Sequence, residues 1–251
     1  MLEIKNLSAE VDEKEVINRI NLKLEKGKVY VLMGKNGSGK TSLANTLMGN
    51  PKYRINSGKI LLNNEDITNL PVNEKAKKGL FISYQNPVEV SGVSVSNFLR
   101  TAFNSLNKKK ISLLDFQKLL EEKAKELNID KIFLTRYLNE GFSGGEKKKM
   151  EILQMLVLDP NIVVLDETDS GLDIDSLKII SDGIKKFINK DKILLIITHY
   201  SKILDHINPN KVFVMVNGKI VVEGGKEIVN KLEEEGYEWI KRQDSYTRFL
   251  N

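Results

Sequence analysis

The apolar run Val29-Tyr30-Val31-Leu32-Met33 leads directly into Gly34-Lys35-Asn36-Gly37-Ser38-Gly39-Lys40-Thr41, and the helical-looking Ser42-Leu43-Ala44-Asn45-Thr46-Leu47-Met48 follows. The loop matches G-x-x-x-x-G-K-[ST] in the strand–loop–helix context that gives this pattern its meaning. Its glycines let consecutive backbone N–H groups turn inward around phosphate oxygens, and the next helix adds its positive end. Lys40 is suited to neutralise the terminal phosphates of a nucleotide, and Thr41 to offer a hydroxyl to Mg²⁺. Residues Gly34 through Ser42 are therefore the candidate phosphate-binding segment, with ATP and Mg²⁺ as the expected ligands.

Three further runs share the continuous apolar character of Val29 to Met33: Gly79-Leu80-Phe81-Ile82, Ile162-Val163-Val164-Leu165 and Ile193-Leu194-Leu195-Ile196-Ile197. Strands buried on both faces read this way, and helical patterns lie between several of them, so the pattern predicts an α/β fold: a parallel sheet with helices on both faces. Each run ends in polar chemistry: the glycine loop after the first, Gln85 after the second, Asp166-Glu167 at the third and Thr198-His199 after the fourth. Ligands bind beyond the carboxyl ends of strands in open α/β sheets, so the four ends are expected to converge on one site.

Around this core, short alternating patterns before Tyr30 and at Lys59-Ile60-Leu61-Leu62 predict an antiparallel β subdomain. Asn217-Gly218 predicts a hairpin turn between Val212 and Val222. From Asn86 to Met155 the apolar residues Ile111, Leu114, Leu119, Leu120, Ala124 and Leu127 follow a helical period and predict an inserted helical subdomain. One domain is expected over 1–251, with 1–85 and 156–225 as core and β subdomain, 86–155 as helical subdomain and 226–251 as a helical tail.

The chain has 251 residues, 41% hydrophobic and 29% charged, which suits a soluble globular protein. It has no cysteine, so it offers no disulfide, thiolate nucleophile or sulfur-ligated cluster. The net charge of +5 is spread among acidic residues rather than gathered in a stripe, and nucleic acid is not an expected partner. No apolar run approaches the roughly 20 residues that span a bilayer, and Met1 to Lys5 lack the order of a signal peptide. No membrane insertion and a cytoplasmic location are expected.

Asp166 at its strand end is suited to hold Mg²⁺, directly or through water, and Glu167 to orient or deprotonate an attacking water. Gln85 is placed to touch Mg²⁺ or that water, and His199 the γ-phosphate. Ser143-Gly144-Gly145-Glu146 reads both as a capping box and as a glycine-rich helix start suited to a phosphate. His206, in Ile203-Leu204-Asp205-His206-Ile207, reads as structural.

In order, the loop at Gly34 to Thr41, Gln85, Phe142-Ser143-Gly144-Gly145-Glu146, Ile162 to Glu167, Ser170-Gly171-Leu172-Asp173 and His199 resemble the full motif set of ATP-binding cassette ATPases. The resemblance implies hydrolysis in a transient head-to-tail homodimer. Ser143, Gly144 and Gly145 of one copy would clasp the ATP held by Lys40 of the other, with Asp173 communicating across the seam. Finer features, Asp166 to Asp175, Tyr84 to Val93, Thr198-His199-Tyr200 and the ending Leu232 to Trp239, are similar to the SufC branch, the ATPases of the SUF iron–sulfur cluster assembly system. That likeness implies SufB- or SufD-type scaffold proteins as partners, docked near the stretch after Gln85. The alternatives are the nucleotide-binding subunit of a membrane transporter, which more often carries Glu-Pro-Thr where this chain has Glu167-Thr168-Asp169, and a nucleic-acid motor, whose long heptad insertion or basic groove is not seen. One departure concerns adenine: the family commonly stacks the base on an aromatic ring of the N-terminal β layer, whereas no aromatic residue precedes Tyr30 and Val11 stands near the expected place.

Overall fold

The computed structural model describes residues 1–199 and 201–240; Tyr200 and the end of the expected tail, 241–251, lie outside them. Strands β1 (Leu2–Val11) and β2 (Lys14–Leu24) pair antiparallel, β3 (Lys28–Met33) enters a second sheet, and α1 (Lys40–Met48) follows the glycine loop. β4 (Arg54–Leu62) and β5 (Glu65–Asp66) return to the first sheet, whose order is β2-β1-β4-β5. After α2 (Val72–Lys77), β6 (Leu80–Ser83) joins the second sheet. β7 (Val90–Ser94), α3 (Val95–Leu106), α4 (Leu113–Glu126), α5 (Ile132–Thr135) and β8 (Tyr137–Leu138) form a helical unit closed by the β7–β8 ribbon. The rest comprises α6 (Gly144–Leu158), β9 (Ile162–Asp166), α7 (Ile174–Phe187), β10 (Ile193–Ile197), β11 (Lys211–Val216), β12 (Lys219–Gly224) and α8 (Glu227–Glu235).

The main sheet has the order β12-β11-β3-β10-β9-β6, parallel throughout except for β12 at its edge. Alternate side chains of each central strand enter different cores, which is why these strands carry no polar face. Val29, Val31, Val163, Leu165, Leu194 and Ile196 pack with α3, α4, α6 and α7. Tyr30, Leu32, Ile162, Val164, Ile193 and Leu195 pack with α1 and the β1–β2–β4 layer. Register completes the convergence: Ile197 pairs with both Leu32 and Asp166, and Ser83 with Leu165, so the carboxyl ends of four strands form one row. The expected α/β architecture with an antiparallel layer is the one observed.

The hairpin at Asn217-Gly218 forms as its sequence predicts, both residues having positive φ (45° and 77°), but its strands extend the main sheet through β11 and β3. The helical stripe is shifted from the expected one. α4 starts at its Ser112 cap, and Phe116, Leu120 and Ala124 are buried with Leu127 after them, whereas Leu114 is exposed. Leu114 lies two residues, about 200° of helix rotation, from Phe116 and so faces outward. α6 runs unbroken across residue 155, carrying the packing of the helical unit into the sheet core. Among the described residues no helix is long and apolar enough to cross a membrane.

Among the described residues, the Lys75 ammonium lies inside this fold with no acidic partner. Lys75 is 0% exposed and donates from Nζ to Leu47 O at 3.0 Å, at the C-terminal end of α1. Burial lowers its pKa from 10.5 to about 8. Between these values the unfolded chain binds the proton and the folded chain does not, so this group adds stability as pH rises through that window and its burden is fully present below it. Urea unfolding should therefore show a rise in stability from pH 8 towards 10.5 that is flatter in Lys75→Met; parallel pH profiles would contradict the assignment.

Candidate functional site

The phosphate loop is shaped by close packing as much as by its glycines. A Cβ on Gly34 would lie 2.5 Å from both Met215 O and Ser38 Oγ, so only glycine fits there. Gly39 combines φ 108° with a Val16 carbonyl 2.8 Å from where a Cβ would stand. As the N-cap of α1 it provides no side-chain cap, leaving the first helical amides available to an anion. The loop is held from the hairpin, since Gly218 N donates to Ser38 O at 2.8 Å, and Asn18 N to Gly218 O at 2.9 Å.

Lys40 is only 4% exposed, and its Nζ donates to Gly34 O at 2.8 Å and Lys35 O at 3.2 Å. Burial lowers its pKa, against the pull of the Glu167 and Asp166 charges. Asp166 is 1% exposed; burial pushes its carboxyl up to about 6, opposed by the Thr41 hydroxyl and reinforced by the charge of Glu167. Its Oδ1 has no hydrogen-bond partner among the described residues.

Glu167 has φ 49°, left-handed for a residue with a side chain and costly by roughly 1–3 kcal/mol unless its surroundings hold it. They do so on three sides. Its N–H donates to Ile197 O at 2.9 Å, Gln85 Nε2 donates to its Oε2 at 2.5 Å, and His199 Nδ1 lies 3.2 Å from its Oε1. With the proton on Nδ1, the imidazole donates to the carboxylate. Both carboxylate oxygens are thereby fixed at the end of β9.

The cleft over this floor, of about 630 Å³, is lined by Asn36, Gly37, Gly39, Lys40, Thr41, Ser42, Gln85 and Glu167, and at its outer end by Val11, Lys14, Glu15, Val16, Asn217 and Gly218. Val11 thus lines the same cleft as the phosphate loop. Gly34, Lys35 and Ser38 belong to the loop without lining the cleft. Ser143, Gly144, Gly145 and Asp173 do not line it either. Ser143 caps α6 in a complete capping box with Glu146, and Asp173 caps α7, accepting from Ser176 N at 2.7 Å, which holds its pKa down. The two caps are neighbours: a Cβ on Gly145 would lie 3.8 Å from Leu172 Cδ2 and from Ser176 Oγ. They form one exposed surface apart from the phosphate loop. His206 ends a short 3₁₀ turn and takes no part in the cleft.

Two sets of residues passed unnoticed in the sequence. Lys148 Nζ donates to Gln85 O at 2.7 Å and Tyr84 O at 3.3 Å, while Glu151 accepts from Tyr84 N at 3.2 Å. α6 therefore grips the backbone on either side of Gln85. Burial lowers the pKa of Lys148 and raises that of Glu151. The available signal was two charges three residues apart among Met150, Ile152 and Leu153, on the buried side of a helix. Asp169, 8% exposed, accepts from Thr198 Oγ1 at 2.7 Å and so ties the segment after Glu167 to the one before His199.

The donors also suit a magnesium ion. Asp166 offers an unpartnered buried oxygen beside the Thr41 hydroxyl, a hard oxygen set of the kind Mg²⁺ takes. Among the described residues there is no cluster of three or more His, Cys, Asp or Glu side chains that could hold a metal ion.

A family model described as ABC transporter matches residues 17–170, from β2 past Glu167. The chain belongs to the ABC transporter ATPase family. It is 49% identical over 245 residues to "Probable ATP-dependent transporter ycf16" of Trieres chinensis, covering 96% of this chain and 98% of the relative. It is 44% identical over 247 residues to "Probable ATP-dependent transporter slr0075" of Synechocystis sp., covering 97% and 96%. Its fold matches the dimeric, post-hydrolysis ATP-binding cassette MJ0796 bound to ADP and Pi, with TM-score 0.78, 18% identity and coverage of 90% and 98%. This ABC cassette binds ATP and is an ATPase. In it, Glu167→Gln should retain ATP affinity while turnover falls at least about a hundredfold, because an amide cannot take a proton from water. Equilibrium ATP binding and phosphate release measured on the same preparation check both halves, and unimpaired release would exclude Glu167 as the base.

Proposed function

We propose that this cassette is a SufC-type ATPase, which uses ATP-driven closure of two copies to remodel a SufB- or SufD-type scaffold during iron–sulfur cluster assembly. Several features support this reading: Glu167-Thr168-Asp169 where transporter cassettes more often have Glu-Pro-Thr, the Tyr84 to Val93 segment, and the ending Leu232 to Trp239. The likeness to relatives also runs nearly end to end. The observation that carries it furthest is local. Asp169, in the place of the threonine of that pattern, is bonded to Thr198, so this departure from the transporter pattern is built into the catalytic floor.

On the nucleotide side, Lys40 and the loop amides hold the phosphates, and Thr41 and Asp166 hold Mg²⁺, which when bound supplies positive charge against them. Glu167 orients an attacking water and accepts its proton, with Gln85 and His199 fixing one carboxylate oxygen each. The second side of the site comes from Ser143, Gly144 and Gly145 of another copy, whose exposed helix start is suited to the terminal phosphate. Asp173 sits beside that helix start and reports across the seam.

The scaffold docks beside Gln85. Tyr84, Val88, Val93 and Tyr137 are exposed in the β7–β8 ribbon and the segment that leads into it. The ribbon is braced by Asn139 Nδ2 donating to Val88 O at 2.9 Å and by the Lys147–Glu89 ion pair at 2.7 Å. Closure at α6 reaches this patch through Lys148 and Glu151, which grip Tyr84 and Gln85. A second reading, the energising subunit of a membrane transporter, is favoured by the words "ATP-dependent transporter" in the relatives' names. Affinity capture with the Glu167→Gln variant and ATP, from cytosol and from detergent-extracted membranes of the native cell, separates the two. Retention of a soluble protein that takes up an iron–sulfur cluster on reconstitution is the expected result. Retention of an integral membrane protein instead would replace the scaffold reading with the transporter one.

A further inference from the structure

Beyond α8 the chain does not leave the molecule at once. Ile228, Val229 and Leu232 anchor the helix in the core, Gly236 turns the backbone with φ 65°, and Trp239 and Ile240 re-enter the core at 5% and 4% exposure. Tyr237 and Glu238, between the two anchors, meet the phosphate loop. Glu238 Oε1 lies 3.3 Å from Lys35 Nζ, and that ammonium stands 5.8 Å from the centre of the Tyr237 ring. The Tyr237 hydroxyl is buried beside the Gly34 backbone N–H, in a contact too loose for a regular hydrogen bond. At its other end the segment reaches the histidine loop, where the Ser201 hydroxyl donates to Glu233.

Gly34 and Lys35 are the two residues whose carbonyls receive the Lys40 ammonium. The tail therefore touches from outside the residues that hold the phosphate-binding lysine from inside. Lys35, Asn36 and Gly37 are exposed, and a loop so open gains from any contact that keeps it in its binding shape, since ordering it on ligand binding costs affinity. We propose that Tyr237 and Glu238 are positioning residues for ATP binding, holding Gly34 and Lys35 so that Lys40 and the loop amides stay set for the phosphates. The proposal concerns the ATPase site itself and is independent of which partner the cassette drives.

The test uses the full chain in the Glu167→Gln background, where binding is separated from turnover. Tyr237→Leu removes the ring that stands beside the Lys35 ammonium, with its hydroxyl; its affinity for MgATP should fall three- to tenfold while the nucleotide-free protein keeps a cooperative melting transition near the parent's. With Glu167 restored, KM for ATP should rise by the same factor and kcat should stay within about twofold. Glu238→Gln, which removes the charge facing Lys35 at an exposed position, should weaken binding in the same direction, less strongly, and only at low salt. A melting temperature that drops while affinity holds would make Tyr237 a packing residue and overturn its part. Wild-type affinity in both variants at low salt would overturn the proposal altogether.

Discussion

The rest of this structure depends on one arrangement of buried charge: the Lys40 ammonium near the Asp166 and Glu167 carboxylates, beyond the carboxyl ends of β3 and β9, the two strands that flank β10. Charges so nearly removed from water are unfavourable unless other groups meet them. Here the loop carbonyls of Gly34 and Lys35, the Thr41 hydroxyl, Gln85 and His199 do so in part. Asp166 keeps one oxygen unpartnered and a carboxyl pushed up to about 6. A phosphate chain with its metal supplies charges of the signs this floor lacks. Only a parallel sheet covered on both faces brings the ends of β3, β6, β9 and β10 to one edge with so little water beneath them.

From this floor, polar contacts run outward to the parts that face other molecules. Gln85 holds Glu167 by its side chain and is held through its backbone by Lys148 on α6, the helix capped by Ser143. Asp169 and Thr198 join the chain after Glu167 to the chain before His199. A continuous set of contacts therefore links Ser143 to Glu167 through one helix and one glutamine, and the exposed ribbon past Gln85 follows on the same backbone. Two independent grips on one carboxylate also explain how Glu167 can keep its left-handed backbone.

Much of this was readable from residue order because phosphate binding and double-faced burial leave strong local signatures. The four apolar runs, the glycine loop and the hairpin at Asn217-Gly218 each carry their geometry within about ten residues. What the sequence hid depends on rotation and distance. Leu114 shares its residue type with the buried stripe of α4 yet faces solvent, because Phe116 sets the stripe's phase. Lys148 and Glu151 resemble ordinary surface charges until the helix is seen to place them against Tyr84 and Gln85. Tyr237 and Glu238 lie roughly 200 residues from the loop they touch, and no local pattern links the two.

The measurement that bears most directly on the charge arrangement is equilibrium ATP binding, with and without Mg²⁺, to Glu167→Gln and to the same protein carrying Asp166→Asn. If the floor is built for a metal-bound triphosphate, Mg²⁺ strengthens binding in the first protein, and that gain is lost in the second while metal-free affinity persists. Equal gains from Mg²⁺ in both would contradict it.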